Sequence, residues 1–223
     1  MRLTLRAMTL ALLLFGAASV ASADSMSLTI TDGGSIVDGG VYVGPYNFTS
    51  GGQTLHLICD TFENDVFPPE TWTANTTTMP NLSGTLFGSS NLTGYQEISW
   101  LAQQMFNNLS NHQIVADIQW AIWDIFDAGS CGTGVSNCDP YGTPSNPTGI
   151  ASEPLGINGW LAAAQTNGPN GNYSNVTIYT PVSGWPNNVG TPQEYIGVPE
   201  PGSLLLIGSG LFSLFGLKRR FSN

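Results

Sequence analysis

From residue 24 to residue 89, apolar and polar side chains alternate in short runs punctuated by paired glycines. The runs 27–31, 41–48 and 53–59 read as strands, separated by Asp32-Gly33-Gly34, Asp38-Gly39-Gly40 and Ser50-Gly51-Gly52. Residues 71–78 and 83–87 continue the period of two. The period then lengthens to that of a helix. Ile98, Leu101, Ala102 and Met105 share a face, and Thr93-x-x-Gln96 ahead of them reads as a capping box. Asn107-Asn108 closes this helix, and Asn111 caps a second one that runs to about residue 126. Residues 129–156 are rich in Gly, Pro, Ser and Asn and read as a long loop. A short helix at 159–165 and late strands at 175–180 and 193–197 follow. The pattern predicts a mainly β, sandwich-like domain with a helical hairpin inserted mid-chain, and no internal repeat.

The two ends follow different rules. Arg2 and Arg6 precede a short apolar core at residues 10–15 and the small-x-small site Ala21-Ser22-Ala23, the layout of a secretory signal peptide over residues 1–23. At the other end, Val198-Pro199-Glu200-Pro201 leads into an apolar segment at 203–217 and then Lys218-Arg219-Arg220. That segment sits near the lower limit of about 17 residues for crossing a bilayer, and the basic cluster would stay on the cytoplasmic side. The ectodomain is then residues 24–196 and the tail residues 197–223. The tail resembles the PEP-CTERM sorting signal of Gram-negative bacteria, with Pro199-Glu200-Pro201 as signature, 203–217 as membrane helix and Lys218 to Arg220 as basic end. The resemblance implies export through the Sec machinery, handling by an exosortase, and delivery to the cell surface or extracellular matrix.

Charge sharpens the picture. The five Lys and Arg all lie in the two end segments, so residues 24–200 hold all fifteen acidic side chains and no basic one beyond His56 and His112. With both histidines neutral, that stretch carries a net charge of −15. Nucleic-acid binding is excluded as a main function, because it depends on Lys and Arg at phosphates. Burial and hydrogen bonds must supply the stability, and neutral glycans, cations or amine-bearing surfaces are better partners than anionic polymers. The seven Asn-x-Ser/Thr sequons, from Asn47 to Asn175, reflect the abundance of those residue types.

Three cysteines leave one over from pairing. Cys131 and Cys138 flank a short stretch of the Gly/Pro-rich loop, and a local disulfide is the natural reading in an oxidising compartment. Cys59 is left alone, facing inward with Leu55 and Leu57 by strand alternation. On the second helix, Gln119 lies in the apolar stripe of Val115, Ile122, Trp123 and Phe126. An amide buried there without partners costs roughly 1–3 kcal/mol. A backbone contact would satisfy it; so would Cys59, whose thiolate could displace ammonia from the carboxamide to give an internal thioester.

These residues resemble the thioester domains of Gram-positive surface adhesins. Ile58-Cys59-Asp60-Thr61-Phe62 is similar to their cysteine motif, and Ile118-Gln119-Trp120-Ala121-Ile122-Trp123 to their hydrophobic-Gln-x-x-hydrophobic-Trp motif. Tyr42-Val43-Gly44-Pro45-Tyr46 and Gly51-Gly52 also look like the family's approach to the cysteine. The Asp after Cys59 departs from the pattern. The resemblance implies a Cys59–Gln119 bond in a pocket of Ile118, Ile122 and Trp123, opened by surface amines or hydroxyls. The alternatives are a matrix or envelope protein without a reactive bond, and more remotely a cysteine hydrolase. His56 falls on the strand face opposite Cys59 and His112 is the only other base, so no enzyme is expected. Asp60, Glu63 and Asp65 form a weak candidate for Ca²⁺, with spacing unlike an EF-hand loop. No nucleotide motif or zinc spacing is present, and no cofactor is expected.

Overall fold

The computed structural model describes residues 24–62, 64–126, 156–185 and 190–198. Residues 1–23, expected to be a signal peptide, the stretch with Cys131 and Cys138, and the apolar segment 203–217 lie outside the described residues. Eight strands and three helices occur in the order β1 (Asp24–Asp32), β2 (Val37–Asp38), β3 (Val41–Tyr42), β4 (Tyr46–Ser50), β5 (Gln53–Cys59), β6 (Glu70–Thr78), α1 (Leu92–Asn107), α2 (His112–Phe126), α3 (Gly156–Asn167), β7 (Thr177–Ser183) and β8 (Tyr195–Gly197).

The expected sandwich is instead a closed barrel, ordered β1-β4-β5-β8-β7-β6, in which every neighbouring pair is antiparallel. Alternation along a strand fixes which side chains face inward but not which strand lies alongside. Here β1 pairs with β6 along most of its length, and β8 inserts between β5 and β7. Each of the six barrel strands therefore has a neighbour on both sides, and β2 and β3 form a separate two-stranded sheet.

One face of the strands fills the barrel. Leu28 and Ile30 of β1, Phe48 of β4, Leu57 and Cys59 of β5, Trp72 and Ala74 of β6 and Tyr195 of β8 belong to one buried cluster. Phe48 meets Trp72 edge-on at 5.8 Å and Tyr195 at 4.7 Å between ring centroids, the offset geometry that aromatic quadrupoles favour. The alternate residues Ile58, Ile178 and Ile196 face outward and are covered by the helices, through Ile98, Leu101, Met105, Ile118, Ile122 and Trp160 among others. Helix α2 serves both cores. Ala116, Trp120 and Trp123 join the barrel cluster, while Val115, Ile118, Ala121 and Ile122 join the helical one. That double duty explains why α2 is apolar nearly all round.

Several elements differ from the sequence pattern. The run 41–48 is broken, because Gly44 takes a φ of +116° and Pro45 offers no amide to a ladder. Residues 83–87 form turns and not a strand; the amide of Thr85 bonds back to Leu82 O, and that of Leu86 reaches a side chain described below. Helix α1 starts at Leu92, with Asn91 at its cap and no side-chain capping bond, so the Thr93 capping box does not form. Helix α3 and strand β7 are both longer than their patterns predict.

Asn111 does cap α2, its Oδ1 accepting from the Ile114 amide at 3.3 Å. Asn111→Ala is expected to cost about 1 kcal/mol in chemical denaturation, with an unchanged m-value.

Candidate functional site

Strand β5 ends at Cys59, where the barrel meets α2. The Cys59 side chain is fully buried, and its thiol donates to the carbonyl of Thr61 at 3.1 Å. From α2, the indole N–H of Trp123 donates to Cys59 Sγ at 3.4 Å. One helical turn earlier, Gln119 is 0% exposed. Its Nε2 donates to the backbone carbonyl of Cys59 at 2.7 Å, and its Oε1 accepts from the Gly44 amide at 3.4 Å. Each end of the carboxamide therefore has a partner, and its position beside Cys59 is set from two sides. Ile118 and Ile122 are fully buried on the helical side of the same turn.

Gly44 must be glycine for two reasons. Its φ of +116° is strained for any L-residue, and a Cβ there would sit 2.9 Å from Val115 Cγ1. The absence of a side chain lets this backbone approach α2 closely enough to reach Gln119. Phe62 and Trp120 complete the surroundings, Phe62 with ring centroids 5.0 Å from Trp123 and 5.5 Å from Trp120. Trp120 and Trp123 stand edge-to-face at 4.9 Å. Such a wall excludes water from the sulfur.

Asp60, the next residue, turns to the other side of the strand. It is completely buried and lies against Glu194, which immediately precedes β8. Glu194 accepts from the Tyr95 hydroxyl at 2.6 Å, from the Leu86 amide at 2.8 Å and from the Thr180 hydroxyl. Asp60 Oδ1 accepts from Thr61 at 3.1 Å, but no hydroxyl, amide or cation reaches Oδ2. Two buried carboxylates so placed repel when both are ionised. Burial, then the Glu194 charge, pushes the Asp60 carboxyl well above its usual range. Burial also raises Glu194, while its donors pull it back down. The two shifts together favour a proton on Asp60, beside Glu194, over two bare carboxylates.

This pair escaped the sequence pattern, apart from one signal: an acid inside the predicted strand 193–197. It also redirects the Ca²⁺ candidate, since Asp60 faces inward, Asp65 is exposed and Glu63 lies outside the described residues. Among the described residues, no group of three His, Cys, Asp or Glu is placed to hold a metal ion. His56 and His112 are both exposed.

Strand β8 leads directly into the C-terminal tail, and there the chain is comparable to known proteins. Residues 197–220 match the family model of the PEP-CTERM protein-sorting motif. The chain carries a PEP-CTERM sorting signal. The PEP-CTERM match takes in Pro199, Glu200, Pro201 and the basic Lys218, Arg219 and Arg220, and it marks an exported protein sorted by an exosortase. It begins at Gly197, the last residue of β8. A search of the curated proteins finds no match. Among the described residues, no helix is long and apolar enough to cross a membrane.

Proposed function

We propose that this exosortase substrate is a surface adhesin of a Gram-negative bacterium, whose barrel carries an internal thioester between Cys59 and Gln119. The observation that supports the reading is the placement of Gln119: a fully buried amide tied at one end to the Cys59 backbone and at the other to Gly44 N–H. Attack of Cys59 Sγ on Gln119 Cδ places negative charge on Oε1, where the Gly44 amide stands as donor. The carbon–nitrogen bond then breaks and the thiol proton leaves with the nitrogen as ammonia. The thioester lies behind Phe62, Trp120 and Trp123, protected from hydrolysis. A primary amine on a target surface attacks the same carbon, forms an amide to Gln119, and returns the proton to the Cys59 sulfur. The anionic ectodomain favours an amine-bearing target over an anionic one.

Intact mass of the mature ectodomain tests this. The expected result is a deficit of one ammonia, absent in Cys59→Ala and abolished by methylamine. A full-length mass together with one titratable thiol at Cys59 overturns the thioester and leaves a non-reactive structural protein of the envelope or matrix.

A further inference from the structure

Residues 35–43, carrying β2 and β3, form a small hairpin beside the Cys59–Gln119 pair. Both of its roots are glycines at positive φ, Gly34 at +83° and Gly44 at +116°. They lie side by side, since a Cβ on Gly34 would come within 2.6 Å of Pro45 O. The second root is the donor to Gln119. An internal rung joins its arms, Val43 N–H to Ile36 O at 3.0 Å. Its second arm is held to the barrel by buried Val43 and by the Tyr46 hydroxyl, which donates to Tyr42 O at 2.9 Å. The Tyr42 ring rests on Gly33, where a Cβ would meet it at 2.3 Å. At the tip, Asp38 Oδ2 accepts from Trp120 Nε1 at 2.8 Å. Ile36 and Val41 rest on the barrel core, but Val37 and Tyr42 are 58% and 44% exposed. Trp120 is the residue after Gln119, so the tip is fastened to the helical turn that presents the amide.

We propose that the β2–β3 hairpin is a hinged cover over the Cys59–Gln119 site and that Asp38, by latching Trp120, sets how readily a nucleophile reaches it. Asp38 is a positioning residue. Release of the indole frees the tip, which lifts while buried Val43 stays in the core and the Gly44 amide keeps its bond to Gln119, and the Trp120–Phe62 wall loses its outer support. The proposal rests on the thioester reading for its chemistry but not for its geometry.

The test compares the full ectodomain with Asp38→Ala, Asp38→Asn and Tyr42→Ala. The mass of each unreacted protein first shows which group is present at Cys59. A thioester is followed by its opening with methylamine, a free thiol by its labelling with iodoacetamide, so the cover is tested whichever is found. Asp38→Ala is expected to react about tenfold faster, the scale of a lost hydrogen bond to a charged group. Asp38→Asn keeps an acceptor for the indole and should stay within about twofold of the parent. Tyr42→Ala removes the ring on Gly33 without touching the latch and should also react faster. Amide exchange across residues 37–42 should rise in step with reactivity while the thermal midpoint stays near that of the parent. Equal reaction rates in all four proteins would overturn the cover, as would an Asp38→Asn rate matching that of Asp38→Ala.

Discussion

Glu194→Leu is expected to destabilise the ectodomain by about 3–5 kcal/mol, the range for removing one member of a buried hydrogen-bonded charge network. The substitution leaves the Tyr95 hydroxyl of α1, the Thr180 hydroxyl of β7 and the Leu86 amide of the turn 83–87 without their acceptor. It also strands the proton of Asp60. A leucine fills much of the volume, so the loss comes from unsatisfied polar groups and not from a cavity. The thermal midpoint should fall by roughly 6–20 °C. Glu194→Gln, which keeps one acceptor oxygen, should lose less. A Leu variant as stable as wild type would mean that water reaches these groups and that the network contributes nothing.

The second expected result concerns pH. Asp60 and Glu194 are both raised in the folded protein, first by burial, with the Glu194 charge adding to the shift at Asp60. Carboxyls raised in the native state bind protons more tightly folded than unfolded. Their stabilising contribution is complete below their unfolded values near ~4 and is lost as pH climbs through the native values. Stability should therefore fall as pH rises above the unfolded values near ~4, where ordinary exposed carboxylates contribute no such loss. Glu97 and Asp124 are also raised by desolvation and act in the same direction, so the wild-type slope alone does not isolate the pair. Asp60→Asn does. Its amide supplies the bridging hydrogen at every pH, so the slope should flatten and the midpoint near pH 8 should rise by several degrees. Parallel wild-type and variant curves would show that no shared proton is present.

These acids also mark how far the sequence could be read. Gln119 stood out because a lone amide in an apolar helical stripe is a local anomaly, visible within two turns of α2. Cys59 stood out by cysteine count and strand alternation. The structure sets them side by side, with Gln119 bonded to the Cys59 carbonyl. The Asp60–Glu194 contact joins residues far apart in sequence and exists only because β8 slots between β5 and β7. No periodicity in either segment encodes that choice of neighbours, and it also separates a barrel from a sandwich. Gly44 is an intermediate case. The Gly-Pro step announced a break in the run 41–48, but the alternating apolar side chains on either side of it outweighed that signal. Residues 83–87 show the opposite limit. Their apolar content fits a strand, yet the Leu86 amide goes to Glu194 and finds no ladder.

The position of β8 has a consequence for biogenesis. The strand that completes the barrel is three residues long, is contributed by the last described stretch of the chain, and abuts the sorting signal. Until it emerges, β5 and β7 have no common neighbour, and Cys59 lacks its registered partner Tyr195. The β5–β8 seam joins Cys59 to Tyr195, a contact of very high sequence separation and hence slow to form. Synthesis must therefore pass residue 197 before the barrel can close, and the residues that finish the fold come out just ahead of those that address it. A nascent chain truncated before residue 195 would lack both the seam and the label.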